Sequence, residues 1–171
     1  MYAFTYLDNA FDGMVKIGHT SRPVDRRMEE WTDCGHGRPC LLMSFSRVRY
    51  PERVEFLTHF QLAAVWHAMR WCVTHKRPHI EWFKTSVTMA SQVVQAWILW
   101  IERANPYDRR GHLKPFWRDM IDFLSLYEIT ITAELMVLIQ EIEDGDTSIL
   151  SFVDDESLRQ AGLELEWSDV K

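Results

Sequence analysis

Hydrophobic and polar positions alternate at the start of the chain and shift to helical spacing soon afterwards. "YAFTY" at 2–6 alternates and is rich in aromatic residues, which predicts a strand; "LDNAFDG" supplies turn residues before a second strand at 14–18, so the pair predicts a hairpin. In "VKIGHTSRPVDRRMEEW" the pattern passes from strand to charged helix. Thr20 or Ser21 is placed to cap that helix, Pro23 falls in its first turn, and it runs from about Pro23 to Thr32. "DCGHGRP" reads as a loop and "LLMSFSRVRY" (41–50) as a third strand. Pro51 opens a helix over roughly 51–71, with Glu52 and Glu55 in its first turns and an apolar stripe of Val54, Leu57, Leu62 and Val65; "WCVTHKRPH" breaks it. "IEWFKT" (80–85) predicts a further short strand. Ser86 then caps a helix in which Val94, Trp97, Ile98 and Ile101 recur at helical spacing until Asn105 and Pro106 stop it. Two more amphipathic helices are predicted at 115–127 and 133–143, and a last short one in "DDESLRQAG". Strands at the front and helices at the back make the class α+β.

With 171 residues, 47% of them hydrophobic, the chain can bury one core and carry an extension without a staple. Its cysteines, Cys34, Cys40 and Cys72, are odd in number and follow no secretory signal, which predicts free thiols in an intracellular setting. No apolar run reaches the roughly 18 residues of a membrane span, so no membrane partner is expected. The net charge of −6 is unevenly spread. Residues 1–118 hold 17 of the 19 Lys and Arg and 11 of the 25 acids, a balance of +6, and residues 119–171 carry −12. A basic body with an acidic tail suits a phosphate-binding surface that the tail screens, and equally a solvated extension with no part in binding.

The candidate chemistry lies in three places. Arg26 and Arg27 fall on the early turns of a helix, where a guanidinium beside free backbone amides makes an anion site; Lys16, His19 and Arg22 lie just upstream and add cationic contacts for a phosphate. Glu55 and His59 are one turn apart on a later helix and share a face. Cys72, His75 and His79 have ligand types that suit Zn²⁺, but a closed tetrahedral site needs a fourth ligand, which Cys34 or Cys40 supplies only if the fold brings it near. Each of these also has a plain structural reading: Tyr2 as a strand aromatic, the arginines as surface charge, Glu55 as a helix-start acid, His59 as a hydrogen-bonded half-buried residue, and the Cys/His set as unliganded loop positions. Glu81 between Ile80 and Trp82 points to the opposite face from both. The eight tryptophans, including Trp66 with Trp71 and Trp97 with Trp100, read as core packing.

The order of these pieces resembles the GIY-YIG nuclease superfamily, and within it the branch named for a bacteriophage T-five open reading frame, a DNA-binding domain with fungal relatives described as meiotically up-regulated. The resemblance rests on Tyr2 in "MYAF", on "VKIGHT", on Arg27, on Glu55 and His59 in "VEFLTH", and on "HIEWF" at 79–83; it covers about residues 2–105. It implies a small, mostly antiparallel three-stranded sheet flanked by helices over residues 1–105, followed by an acidic helical extension at 106–171. It also implies a site in which Glu55 binds Mg²⁺ or another divalent metal, Arg27 steadies the scissile phosphate, and Tyr2 orients or activates water, with Lys16 and His59 beside them. Hydrolysis of a phosphodiester needs such a Lewis acid and such a permanent cation. Relatives of this branch are often richer in cysteine in the loop that holds Cys72.

The sequence departs from that pattern in three ways. Lys16 stands where most of these nucleases place tyrosine, and an ordinary lysine is protonated at neutral pH and cannot act as a base. No asparagine follows "EWF" where many members keep one, and only one residue precedes Tyr2. Three functions are therefore carried forward: a DNA-binding endonuclease dependent on a divalent metal, a DNA-binding module that does not cut, and an interaction module for an acidic partner. No base-reading helix stands out. A DNA role would suit the nucleus, although the "RR" pairs at 26–27 and 109–110 fall short of a basic run.

Overall fold

The computed structural model describes residues 1–68, 71–72 and 74–145. The chain divides into two compact units, Met1–Arg103 and Ala104–Lys171. The first holds strands β1 (Tyr2–Thr5), β2 (Met14–Gly18), β3 (Cys40–Ser44), β4 (Trp66–His67), β5 (Trp71–Cys72), β6 (Arg77–Pro78) and β7 (Trp82–Lys84), with helices α1 (Val24–Thr32) and α2 (Pro51–Gln61). Helix α3 spans Val87–Ala104, and the Ser86 hydroxyl accepts from the Met89 amide at 3.1 Å to cap it. The second unit contains α4 (Pro115–Leu126) and α5 (Ala133–Glu143). The Thr132 hydroxyl caps α5 by accepting from the Leu135 amide at 3.3 Å. The short helix expected in "DDESLRQAG" lies outside the described residues. Among the described residues no helix is long and apolar enough to cross a membrane.

Five strands pair antiparallel in the order β3-β1-β2-β7-β4, and β5 and β6 form a separate two-stranded hairpin. The sheet thus has five strands where three were expected. The difference arises at the end of α2, which stops at Gln61 rather than near residue 71. Ala63–Val65 tighten into a 3₁₀ turn, and Trp66 and His67 then pair with Phe83 and Trp82. The apolar spacing of Leu62 and Val65 fits a longer helix. Pairing with an available sheet edge overrides it. Trp66 is correspondingly exposed, with its indole N–H donated to the Ile80 carbonyl at 2.5 Å, so it is not the core tryptophan that the sequence suggested. Strand β3 is also shorter than predicted, because Arg47 and Tyr50 take left-handed backbone conformations (φ 57° and 48°) that lead the chain off the sheet before Pro51. The expected cap of α1 by Thr20 or Ser21 is absent. The Thr20 hydroxyl accepts instead from the Arg22 amide at 3.1 Å, and Pro23 occupies the cap position.

Register assigns the two faces of this sheet to different helices. Tyr2 is opposite Gly18, Phe4 is opposite Lys16, and Lys16 is opposite Trp82. Tyr2, Phe4 and Trp82 build an aromatic core with Tyr6, Phe11, Met14 and Trp31, roofed by α1, where the Phe4 and Trp31 rings lie 5.4 Å apart. On the other face Ile17 and Phe83 meet α2 through His59, whose ring lies 5.0 Å from that of Phe83. Two helices on opposite faces of one hairpin can share a site only around its end, and that end is Gly18.

Candidate nucleic-acid interface and metal centre

The first cluster gathers at the end of β2. The Tyr2 hydroxyl, buried at the start of β1, accepts from Arg27 Nε at 3.2 Å and from the Trp31 indole N–H at 3.3 Å. Arg27 and Trp31 are one turn apart on α1, so a single helical face delivers both donors. Arg27 also donates from Nη1 to Glu30 at 2.6 Å, and Arg22 grips the same carboxylate with both of its terminal nitrogens, one at 3.0 Å. That donation from Arg27 holds the Glu30 carboxyl below its ordinary range. From α2, the Glu55 carboxylate reaches the same end of β2 and pairs with His19 Nδ1.

Gly18 makes this convergence sterically feasible. A Cβ built there would lie 3.0 Å from the Tyr2 hydroxyl and 3.5 Å from a Glu55 carboxylate oxygen. The missing side chain therefore leaves space that a phenol from one face and a carboxylate from the other both border. The Arg27 side chain is 23% exposed, and that of Glu55 17%. Both remain open to a ligand at the surface. Glu55 suits a divalent cation: it is a hard oxygen donor, partly exposed, beside the cradle that a Cβ at Gly18 would fill.

Lys16 does not lie at the rim of this site. It is fully buried (0% exposed), ion-paired with Glu81, and its ammonium sits 4.6 Å from the centre of the Trp31 ring. A contact to phosphate requires surface, and this ammonium has none. Burial lowers its pKa, while the Glu81 carboxylate opposes that shift. His59 likewise faces inward: Nε2 donates to the Ile17 carbonyl at 3.1 Å, and burial lowers its pKa. His59 thereby anchors α2 to β2. Arg26 is exposed and makes no hydrogen bond or ion pair to the described residues; one position from Arg27, it points to a different side of α1. Glu81, whose role was open in the sequence, is the counter-ion of Lys16.

The second cluster was half legible. Cys72, His75 and His79 lie on the β5–β6 hairpin and just after it, and Cys34, two residues beyond the end of α1, completes the set. Cys40 does not; it begins β3. The Thr74 hydroxyl donates to the Asp33 carbonyl at 2.8 Å and fixes the hairpin against the end of α1. The four ligand atoms all lie within 4.8 Å of one another. Cys34 Sγ is 3.2 Å from His75 Nδ1 and 3.5 Å from His79 Nε2, and Cys72 Sγ is 3.5 Å from His75 Nδ1. A tetrahedral zinc with its usual sulfur and nitrogen bond lengths sets those edges at about 3.5 Å. Hydrogen bonding alone accounts for them poorly, because two thiols converge on one imidazole nitrogen and one thiol on two imidazoles. Burial pushes the Cys34 thiol up to about 11, so a thiolate at this position calls for a cation. The donor set fits zinc.

Trp31 joins the two clusters. Its ring lies 4.7 Å from the Arg27 guanidinium carbon, 4.9 Å from the His79 ring and 5.5 Å from the His75 ring. Beside it, Tyr6, Phe11, Trp82, His36 and Cys72 help to line an aromatic cavity of about 540 Å³.

The family model of the T5orf172 domain matches residues 1–101. The chain belongs to the T5orf172 domain family. That family is related to GIY-YIG nuclease-like domains, and membership points to a DNA-binding or nuclease-like module. No curated protein and no solved structure gives a significant match.

Proposed function

We propose that residues 1–103 of this T5orf172 chain form a DNA-binding module that seats a backbone phosphate at Arg27, and that Cys34, Cys72, His75 and His79 hold a structural zinc ion behind that seat. One observation carries the reading. At Gly18 the Tyr2 phenol from one face of the sheet and the Glu55 carboxylate from the other border the same opening, and Arg27 donates to that phenol. A guanidinium keeps its charge at any working pH and matches phosphate with parallel donors. The zinc would close the α1 end against the β5–β6 hairpin, whose strands are each two residues long.

Hydrolysis is the second reading, favoured by Glu55 beside the Tyr2 hydroxyl. In it Glu55 would hold Mg²⁺ or a similar cation, which when bound neutralises charge on a phosphate oxygen. Arg27 would pair with the same phosphate, Tyr2 would fix the angle of Arg27 through its hydroxyl, and His19 would orient the Glu55 carboxylate. Binding ranks above cutting because Lys16, at the position where related nucleases carry tyrosine, is buried and tied to Glu81.

Titration of a fluorescent DNA duplex over a range of salt, for wild type and Arg27→Gln, tests the binding reading. Salt-sensitive affinity that the variant loses supports it; no wild-type affinity at low salt replaces it with an interaction module. A cutting assay with Mg²⁺ separates the two DNA functions. Cleavage abolished in Glu55→Ala establishes the nuclease, binding without cleavage leaves the module, and cleavage surviving that change removes Glu55 as metal ligand.

A further inference from the structure

The loop between β3 and α2 leaves one arginine without an internal use. Arg47 is exposed, makes no hydrogen bond or ion pair to the described residues, and holds a left-handed backbone (φ 57°) that glycine or asparagine adopts with less strain. Tyr50, three residues later, is left-handed as well (φ 48°). Both turn the chain from β3 into α2, and of the two Arg47 leaves its side chain exposed. Arg47 lines a cavity of about 330 Å³ whose other walls include the polar residues Arg22, Thr20, Ser44 and Ser46 and the apolar Val24 and Phe45.

Arg22 links this cavity to the site already described. It is held by Glu30, the carboxylate that Arg27 also grips, so one acidic side chain joins a wall of this cavity to Arg27. We propose that this cavity is a second phosphate seat, in which Arg47 and Arg22 take a phosphodiester neighbouring the one at Arg27 on the same DNA strand. Arg47 closes the outer side of the seat, and the hydroxyls of Thr20, Ser44 and Ser46 face the phosphate oxygens. The proposal rests on the DNA-binding reading and assigns that reading its direction across the surface, from Gly18 over the start of α1 to the β3–α2 loop.

Arg47→Gly in the full chain tests it, because glycine removes the guanidinium and relieves the backbone together. With a fluorescent DNA duplex as probe, the variant is expected to bind more weakly at low salt, with a slope of log affinity against log salt shallower by about one. Its melting temperature should equal or exceed that of the wild type. Arg38→Gln, which removes an exposed arginine from outside the cavity, should leave the slope unchanged. An Arg47→Gly chain with wild-type affinity and slope, while Arg27→Gln loses binding, overturns the seat and leaves the DNA reading standing. An equal loss of slope in Arg38→Gln also overturns it, since charge rather than place would then govern binding. Absence of wild-type binding removes the DNA reading, and the seat with it.

Discussion

Gly18 stands opposite Tyr2 across the β1–β2 ladder, and a Cβ there would lie 3.0 Å from the phenol oxygen and 3.1 Å from the carbon that carries it. Alanine at this position is therefore expected to displace the ring that Arg27 and Trp31 both contact. Overpacking of this kind costs about 1–3 kcal/mol. Gly18→Ala should lower the denaturation midpoint and weaken DNA binding together. Tyr2→Phe, which deletes the closer of the two atoms, should recover part of the stability loss in the double variant; strictly additive losses would show that the two positions do not communicate.

Metal analysis checks the four-residue centre. Purified chain is expected to carry about one zinc, and a strong chelator should lower its melting temperature. Cys34→Ser should lose the metal, whereas Cys40→Ser, at the start of β3, should keep it. Because the Cys34 thiol is raised to about 11, uptake must expel protons, so zinc affinity measured with a competing indicator should rise with pH. A flat profile would argue against thiolate ligation.

Glu30 holds both Arg22 and Arg27, and an incoming phosphate must compete with it. Glu30→Gln keeps the shape and removes the rival charge. The expected outcome is tighter DNA binding at low salt, by several-fold, with both arginines freed for the ligand. Weaker binding would mean that Glu30 positions the arginines more than it occupies them.

Lys16 gives a pH dependence of defined sign. Its pKa is lowered in the fold by burial, so between that value and its ordinary 10.5 the unfolded chain binds more protons, and stability rises with pH across that window. Burying an ammonium costs several kcal/mol, which its partner Glu81, itself partly exposed, offsets incompletely. Lys16→Met should therefore stabilise the protein at neutral pH. The advantage should shrink as pH rises toward 10.5, as measured by chemical denaturation at a series of pH values.

The parts of this fold that were legible in the sequence are those governed by local chemistry. The hairpin, the cap at Ser86 and the two helices after Pro115 follow from alternation, a side-chain oxygen at a helix start and apolar periodicity. The parts that were not legible depend on distant partners. The segment around Trp66 has helical spacing and becomes a strand because β7 offers an edge. Lys16 sits in an alternating run that cannot say whether its face is wet or dry, and only Trp31 above it and Glu81 beside it decide. Cys34, 38 residues before Cys72, carried no sign of which cysteine would close the metal set. For the site, Arg27, Tyr2 and Glu55 were named by resemblance, but the approach of the Tyr2 phenol to the Glu55 carboxylate depends on Gly18, whose contribution is empty space. Arg47 escaped notice because a left-handed backbone at a non-glycine residue leaves no trace in composition.

Trp31 serves two neighbours with one side chain, and neither can be refitted alone. Its indole N–H steadies the phenol while its ring abuts the imidazoles, so an exchange to phenylalanine would spare the packing and release the phenol, and an exchange to alanine would loosen both. Under the proposed function, selection on grip and selection on metal retention are thereby tied to a single codon.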